Sequence, residues 1–493
     1  MKKILIANRS EIALRLQATC HTQGIATVAI YSPEDKFASY VYNATEAYAL
    51  SGSGYTAYLN ADEIIEIATK ANVDAILPGY GFLSENASFA QKVINAGLLW
   101  IGPQPNILSL MANKITARTT LQQSGIPVVP GFVINNTEHL DTARHQATAL
   151  GFPLIIKDPT SGGGKAVRKV HSEQDFLQAI TTVLSESSRL TGNTTILVEK
   201  YIQDARHIEI QVAGDGQNAI HLFERDCSLQ RRHQKIIEES QCLFVPPAIL
   251  NTIYQTALRV VQITAYNSIG TVEFLVTPTN DFYFLEMNPR LQVEHTVTEM
   301  ITGIDLVAVQ LHIAVHKQLP LKQTDVISHG HAIECRLYAE DPANNFLPST
   351  GIINHVWIPQ QPNIRVESDL KKGTEITALF DPMIAKFISW APTRRTCCLQ
   401  LASFLQQCVI HGIVTNKEFL HQLLTSEMFT NGTFHIQSIA NKEVVPQPKN
   451  EPPSNHQEII AGLAALLFEQ GQQLHQSQKP ANTVRRWKDQ QWQ

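Results

Sequence analysis

EMNPRLQVEHTVTE, residues 286–299, follows the apolar run FYFL and opens on a carboxylate. Past Pro289, polar Arg290, Gln292 and Glu294 alternate with apolar Leu291 and Val293. Period-two alternation predicts an extended chain with the three polar side chains on one face. An arginine, an amide and a carboxylate on one face can bind a small oxyanion and take a proton from it. Taken alone, the stretch reads first as an ordinary amphipathic strand.

Working outward, Glu286 closes FYFLEMN and Glu273 lies in TVEFLV. A hairpin about Thr277–Asp281 sets these two glutamates opposite each other. Two apposed carboxylates among Val, Phe, Leu and Tyr repel, and they are costly to bury unless a cation sits between them. Mg²⁺ favours one or two carboxylates plus phosphate oxygens. Asn288 shares the face of Glu286. A solvent-facing pair on an edge hairpin is the alternative.

Two further segments carry charge or glycine. LIIKDPTSGGGKAVR, residues 154–168, ends a strand at Lys157 and enters a loop with Gly162, Gly163 and Gly164. Such glycines let backbone N–H groups approach phosphate, and a lysine supplies a point charge. Pro159 and Ala166 rule out a Walker A loop. In RDCSLQRRHQKIIEE, residues 225–239, an extended chain puts Arg231, His233 and Lys235 on one face, suited to a small anion. His312 and His316 stand four apart with no glutamate between them, so they read as helix-face residues, not HExxH.

The bulk properties bound the function. At about 150 residues per domain, 493 residues give a prior of roughly three domains. A composition of 44% hydrophobic and 17% charged residues argues against a largely disordered chain. A net charge of −5 and the acidic Glu238–Glu239 argue against nucleic acid or an anionic membrane as partner. No apolar run approaches the ~18 residues of a spanning helix. Ile4–Ala7 is too short for a signal peptide core and reads as a first buried strand, so a cytoplasmic protein is expected. The seven cysteines include no CxxC, which favours reduced thiols; Cys227 reads as a small packing residue.

Along the chain, Ile4–Ala7, Thr27–Tyr31, Ala75–Leu77 and Leu99–Ile101 read as strands, with a capped helix over Ala61–Lys70. That alternation predicts a parallel α/β sheet, and no GxGxxG follows its first strand. From about Met111 the reading becomes α+β: Leu154–Lys157, Ile196–Glu199, Ile208–Val212, Ala219–Glu224, Thr271–Val276 and Phe282–Glu286 are strands. A mixed region covers 330–441, and a Pro/Gln/Asn-rich linker follows Glu443. A helix-like Glu458–Glu469 and a polar end complete the chain.

IANRSEIALR (6–15), PGYGFLSEN (78–86), ERDCSLQRRHQKIIEE (224–239), EMNPRLQVEHTVTEMITGIDL (286–306), HAIECRLYAEDP (331–342) and FDPMIAKF (380–387) together resemble the biotin carboxylase family, in its motif order. The resemblance covers residues 1 to about 440. It implies a pre-ATP-grasp parallel α/β domain over 1–110 and an ATP-grasp domain over 111–329, whose mobile glycine-loop lid spans about 130–203. A mixed α/β C-terminal biotin carboxylase domain over 330–442 and a linker with helical tail over 443–493 follow.

The resemblance also implies roles. Lys114, Lys157, His207 and His233 match ATP contacts, with Gln230 and the loop Gly162–Gly164 beside them. Glu199 and Lys200 match the adenine-side hinge, and Glu273, Glu286 and Asn288 the Mg²⁺ (or Mn²⁺) ligands. Lys235, Arg290, Gln292, the Val293 backbone and Glu294 match the bicarbonate site. Glu294 matches the base for bicarbonate and Arg336 the group that stabilises the biotin enolate, so Glu294, Arg336, Lys235 and Arg290 form the catalytic set.

The implied reaction is ATP- and bicarbonate-dependent carboxylation of biotin through carboxyphosphate, the first half-reaction of an acyl-CoA carboxylase. The only Met-Lys pair is Met1–Lys2, so biotin is expected on a separate carrier protein or domain, with a carboxyltransferase as further partner. A homodimer is expected. The alternatives are a weakly active or non-catalytic scaffold of the same fold, or another ATP-grasp ligase. The chain departs from the family pattern at Ser10, Leu77, Ala112–Asn113 and Ser240–Val245, and in the glycine loop at Asp158, Pro159, Thr160, Ser161 and Ala166. A loop with fewer glycines has fewer conformations with which to wrap phosphate, so weaker ATP binding is expected.

Overall fold

The computed structural model describes residues 1–446 except 136–139, 160–166, 192–194 and 233, together with 461, 462, 464–466 and 468. The glycine loop with Gly162, Gly163, Gly164 and Ala166, and His233, therefore lie outside the described residues. Residues 1–445 form one compact unit and 446–493 a second. In the second, the described residues 461, 462, 464–466 and 468 are helical, within the expected Glu458–Glu469, and Pro446 is not.

The first hundred residues form a five-stranded parallel sheet. Its order is Glu46–Ala49, Ala26–Tyr31, Lys3–Ile6, Ala75–Leu77, Leu99–Trp100. The central strands are apolar on both faces because helices cover both sides. Leu5, Val28 and Ile76 are fully buried, each such side chain contributing roughly 1.5–3 kcal/mol. The helix Ala61–Lys70 starts where the cap predicts: the Glu63 N–H donates to Asn60 Oδ1 at 3.3 Å. The edge strand Glu46–Ala49 was not legible, since half-exposed EAYA carries no β-branched residue.

The second sheet carries the site. Its eight strands run Phe282–Asn288, Ile269–Val276, Arg206–Gly214, Ala219–Arg231, Gln234–Ser240, His331–Tyr338, Met383–Ala391 and Ile364–Ser368, every neighbouring pair antiparallel. The sheet is continuous across residues 329–330. A four-stranded antiparallel sheet, Gly131–Ile134, Ile196–Lys200, Leu154–Lys157 and Val167–Val170, is packed by the helices Leu140–Leu150 and Glu173–Thr191.

Two expectations are corrected. Arg290–Glu294 is not a strand: Pro289 has no N–H to continue the ladder, and the chain turns. The His295 N–H closes that turn on the Gln292 carbonyl, and Glu294 precedes the helix His295–Thr302. Arg231 and Lys235 likewise do not share one strand face. Arg231 pairs with Gln234 and Gln230 with Lys235 across a hairpin, so Arg231 reaches Glu340 while Lys235 enters the site. All seven cysteines are free and buried. Among the described residues no single helix is long and apolar enough to cross a membrane.

Candidate active site

The predicted hairpin forms, and its register brings Glu273 opposite Glu286. The register slips by one residue between Glu273 and Phe274, a bulge that leaves the carboxylate pairing intact. On the other side of Glu273, the ladder places Glu209, and beyond Glu209 stands Arg225. One rung of the sheet is therefore Glu286, Glu273, Glu209, Arg225.

A rung so rich in buried charge requires complete pairing. Arg225 is wholly buried and uses each guanidinium donor: Nε to Glu209 Oε1 (2.5 Å), Nη1 to Gln211 (2.7 Å) and Thr298 (2.9 Å), Nη2 to Thr271 (2.9 Å) and Gln292 (2.8 Å). Glu209 and Arg225 were missed in the sequence. The signal was the polar period His207, Glu209, Gln211 inside an otherwise apolar strand.

Lys235 is the hub. Its ammonium donates to Glu294 Oε1 at 2.6 Å, to Glu273 Oε1 at 3.0 Å and to Glu209. Arg336 Nη2 donates to the other Glu294 oxygen at 2.9 Å. Burial alone raises the Glu294 carboxyl, but Lys235, Arg336 and Arg225 outweigh it and hold Glu294 well below the usual carboxylate range. Burial likewise opposes ionisation of Glu273, and Lys235 and His207 overcome it. Gln292 Nε2 donates to Glu273 Oε1 at 2.7 Å, and Asn288 Nδ2 to the same oxygen at 2.8 Å. Arg290 is held by Glu85, by the Leu291 carbonyl (3.1 Å) and by Asn288 Oδ1 (3.1 Å). The Val293 carbonyl accepts from buried Lys386. Glu85 and Lys386 lay inside recognised motifs without an assigned role.

The other end of the cavity holds the residues expected at the nucleotide. Lys114 Nζ lies 2.9 Å from Glu286 Oε2, and Lys157 Nζ 2.5 Å from Glu199 Oε2. Gln230 Nε2 donates to His207 Nδ1 at 2.8 Å, which leaves the ring proton on Nε2, 2.9 Å from Glu273 Oε2. Lys200 turns its ammonium to the carbonyls of Gly151 (2.8 Å) and Phe152 (3.3 Å). Every described residue of the expected site, from Lys114 to Arg336, lines one cavity of about 780 Å³.

The donor set fits a hard divalent cation: two carboxylates on neighbouring strands, with, among the described residues, Lys114 as the one ion pair of the partly exposed Glu286. The arrangement can bind polyphosphate at one end and hold an ionised base between two cations at the other.

Comparison with known proteins agrees with this geometry. Residues 1–108 match the Biotin carboxylase N-terminal domain, 113–322 the Carbamoyl-phosphate synthase L chain ATP binding domain, and 334–441 the Biotin carboxylase C-terminal domain. The chain is 42% identical over 451 residues to a biotin carboxylase of Halalkalibacterium halodurans, covering 91% of this chain and 99% of that protein. It is 40% identical over 470 residues to the mitochondrial methylcrotonoyl-CoA carboxylase subunit alpha of Rattus norvegicus, covering 95% of this chain and 66% of that protein. The crystal structure of the biotin carboxylase domain dimer of Hydrogenobacter thermophilus 2-oxoglutarate carboxylase, in complex with MgADP, ADP and bicarbonate, superposes with a TM-score of 0.86 at 38% identity. That match covers 90% of this chain and 98% of the other. A biotin carboxylase from Campylobacter jejuni gives 0.86 at 39% identity, covering 89% and 98%. The chain belongs to the biotin carboxylase family.

Proposed function

We propose that this chain is an ATP-dependent ligase that carboxylates biotin with bicarbonate. The observation that carries the reading is the Glu294 carboxylate bracketed by Lys235 at 2.6 Å and Arg336 at 2.9 Å. In this reading Lys114 and Lys157 meet the ATP phosphates, with Gln230, His207 and His233 beside them. Glu199 and Lys200 flank the adenine. Glu273, Glu286 and Asn288 hold Mg²⁺ or Mn²⁺, which shields charge on the phosphate oxygens.

Bicarbonate sits among Lys235, Arg290, Gln292 and the Val293 backbone. Its negative charge competes with Glu294 for Lys235, and this lifts the otherwise depressed Glu294 carboxyl toward a useful base. Glu294 then takes the bicarbonate proton, and the carbonate oxygen attacks the γ-phosphorus as ADP leaves. Lysine charge offsets charge on the transferring phosphoryl group. Carboxyphosphate breaks down to CO₂ and phosphate in the cavity. Biotin N1′ gives its proton to the phosphate released with CO₂, the ureido oxygen gains charge beside Arg336, and N1′ attacks CO₂.

We further assign the regions 1–110, 111–329 (lid about 130–203) and 330–442 as pre-ATP-grasp, ATP-grasp and C-terminal domains, with 443–493 as linker and tail. The parallel sheet of the first region and the separate four-stranded sheet inside the second support this division. Partners in this reading are a biotin carrier, a carboxyltransferase and a second copy of the chain. Seven unpaired cysteines support a reducing compartment such as the cytoplasm. Bicarbonate-dependent ATP hydrolysis, measured with and without free biotin, tests the assignment: stimulation by biotin supports it, and silence from folded protein overturns it.

A further inference from the structure

Beneath Arg336 lies a pair of carboxylates that the reaction above does not use. Glu238 faces Glu334 directly across the antiparallel strands Gln234–Ser240 and His331–Tyr338. Both side chains are wholly buried. Arg336 shares a strand face with Glu334, and Lys386 stands opposite Arg336 on the next strand. Arg336 Nε lies 2.5 Å from Glu238 Oε1. Lys386 Nζ lies 3.5 Å from Glu334 Oε2, which also accepts from the Thr296 hydroxyl. Among the described residues, neither Glu238 oxygen accepts an aligned hydrogen bond, nor does Glu334 Oε1.

Charge balance decides the protonation state. The connected buried carboxylates are Glu209, Glu238, Glu273, Glu294 and Glu334; the cations among them are Arg225, Lys235, Arg336 and Lys386, and the His207 ring lies against Glu273 and Glu209, away from Glu238 and Glu334. Lys235 and Arg225 serve Glu209, Glu273 and Glu294, and Arg336 is divided between Glu294 and Glu238, so the facing pair keeps only Lys386 undivided. The other groups near Glu238 are Glu294, Tyr338 and the thiols of Cys227 and Cys335, none of which adds a positive charge. Like charges apposed in a low dielectric do not both ionise. Burial pushes the Glu238 carboxyl up to about 8 despite Arg336, with Glu334 adding repulsion. Burial raises Glu334 too, against the pull of Lys386 and Arg336.

We propose that Glu238 and Glu334 share one proton, and that this pair positions Arg336 while leaving its charge directed into the cavity. The second half of the proposal rests on the reading of Arg336 as the group beside the biotin enolate. An ionised Glu238 would instead neutralise the guanidinium from behind.

The test is Glu238→Gln in the full chain, which keeps the shape and removes the titration. A carboxyl raised above its unfolded value contributes stability below pH about 4.3 and loses it as pH rises through the folded value. The Tm of the variant relative to the unsubstituted chain therefore increases from pH 5.5 to pH 8.5. A Tm difference that does not change with pH, or a variant destabilised equally at both, overturns the shared proton.

The second readout is the ratio of ATP cleavage with and without biotin. The unsubstituted chain loses biotin stimulation above about pH 8 and the variant retains it, with a ratio several-fold higher at pH 9. Identical alkaline declines overturn the role of the pair. Absence of biotin stimulation at every pH overturns the reading of Arg336 and with it the positioning role, and the Tm comparison still decides the proton. Should Glu238→Gln fail to fold, Glu334→Gln reads the same shared proton and is expected to show the same pH-dependent Tm difference.

Discussion

Lys235 Nζ stands 2.6 Å from Glu294 Oε1, so the candidate base is ion-paired before any substrate arrives. Lys235 also touches Glu273 and Glu209, and its loss leaves three buried carboxylates short of a partner. Lys235→Met is expected to abolish activity and to destabilise the fold by about 3–5 kcal/mol. Urea unfolding followed by circular dichroism checks the second part.

Glu294→Gln removes the base while keeping the shape. Positioned bases contribute typically 10²–10⁴-fold, so kcat should fall by at least about 100-fold, and Tm at neutral pH should fall too, because the ionised Glu294 is paired with buried Lys235 and Arg336. The depressed Glu294 carboxyl carries a pH signature. A lowered folded pKa gives stability that is present above pH about 4.3 and lost as acid protonates the native state. The unsubstituted chain should therefore lose stability more steeply than Glu294→Gln as the pH falls below about 4.3, read as Tm on acidification through that range.

Arg225 makes its five hydrogen bonds with no exposed surface. Lysine cannot reproduce a planar five-donor fork. Arg225→Lys is expected to cost about 3–5 kcal/mol and to raise the KM for bicarbonate through a loosened Gln292. An unchanged unfolding midpoint would contradict this account of the rung.

Lys386 holds the Val293 carbonyl from beneath the turn. Hydrogen bonds to charged groups contribute about 1.5–3 kcal/mol, so Lys386→Met should raise the KM for bicarbonate about tenfold or more. The KM for ATP should move much less, because Lys114 and Lys157 lie at the other end of the cavity.

Ser10 has φ +57°, in the left-handed region. A side chain there costs roughly 1–2 kcal/mol, partly offset by the greater unfolded-state freedom of glycine. Ser10→Gly should therefore raise stability by up to about 1 kcal/mol, and Ser10→Val should lower it. Differential scanning calorimetry of the two variants separates them.

Where local rules ruled, the sequence was legible. The Asn60 cap located the start of the helix Ala61–Lys70, and the hairpin about Thr277–Asp281 set Glu273 against Glu286. Local pattern misled at Arg290–Glu294, where alternation imitated a strand although Pro289 had ended the ladder. Arg231–Lys235 misled similarly, because a hairpin turn interrupts the apparent face. Glu209, Arg225, Glu238 and Lys386 were not assigned, since the meaning of a buried charge lies in partners from distant strands. Arg225, for example, meets Thr298, which is 73 positions away.

The most direct measurement is ATP hydrolysis by the full chain with Mg²⁺, as bicarbonate and free biotin are added in turn. The account predicts negligible turnover without bicarbonate, slow cleavage with it, and a clear increase on adding biotin. ATP cleavage indifferent to both, or none from folded protein that binds ATP, would contradict it.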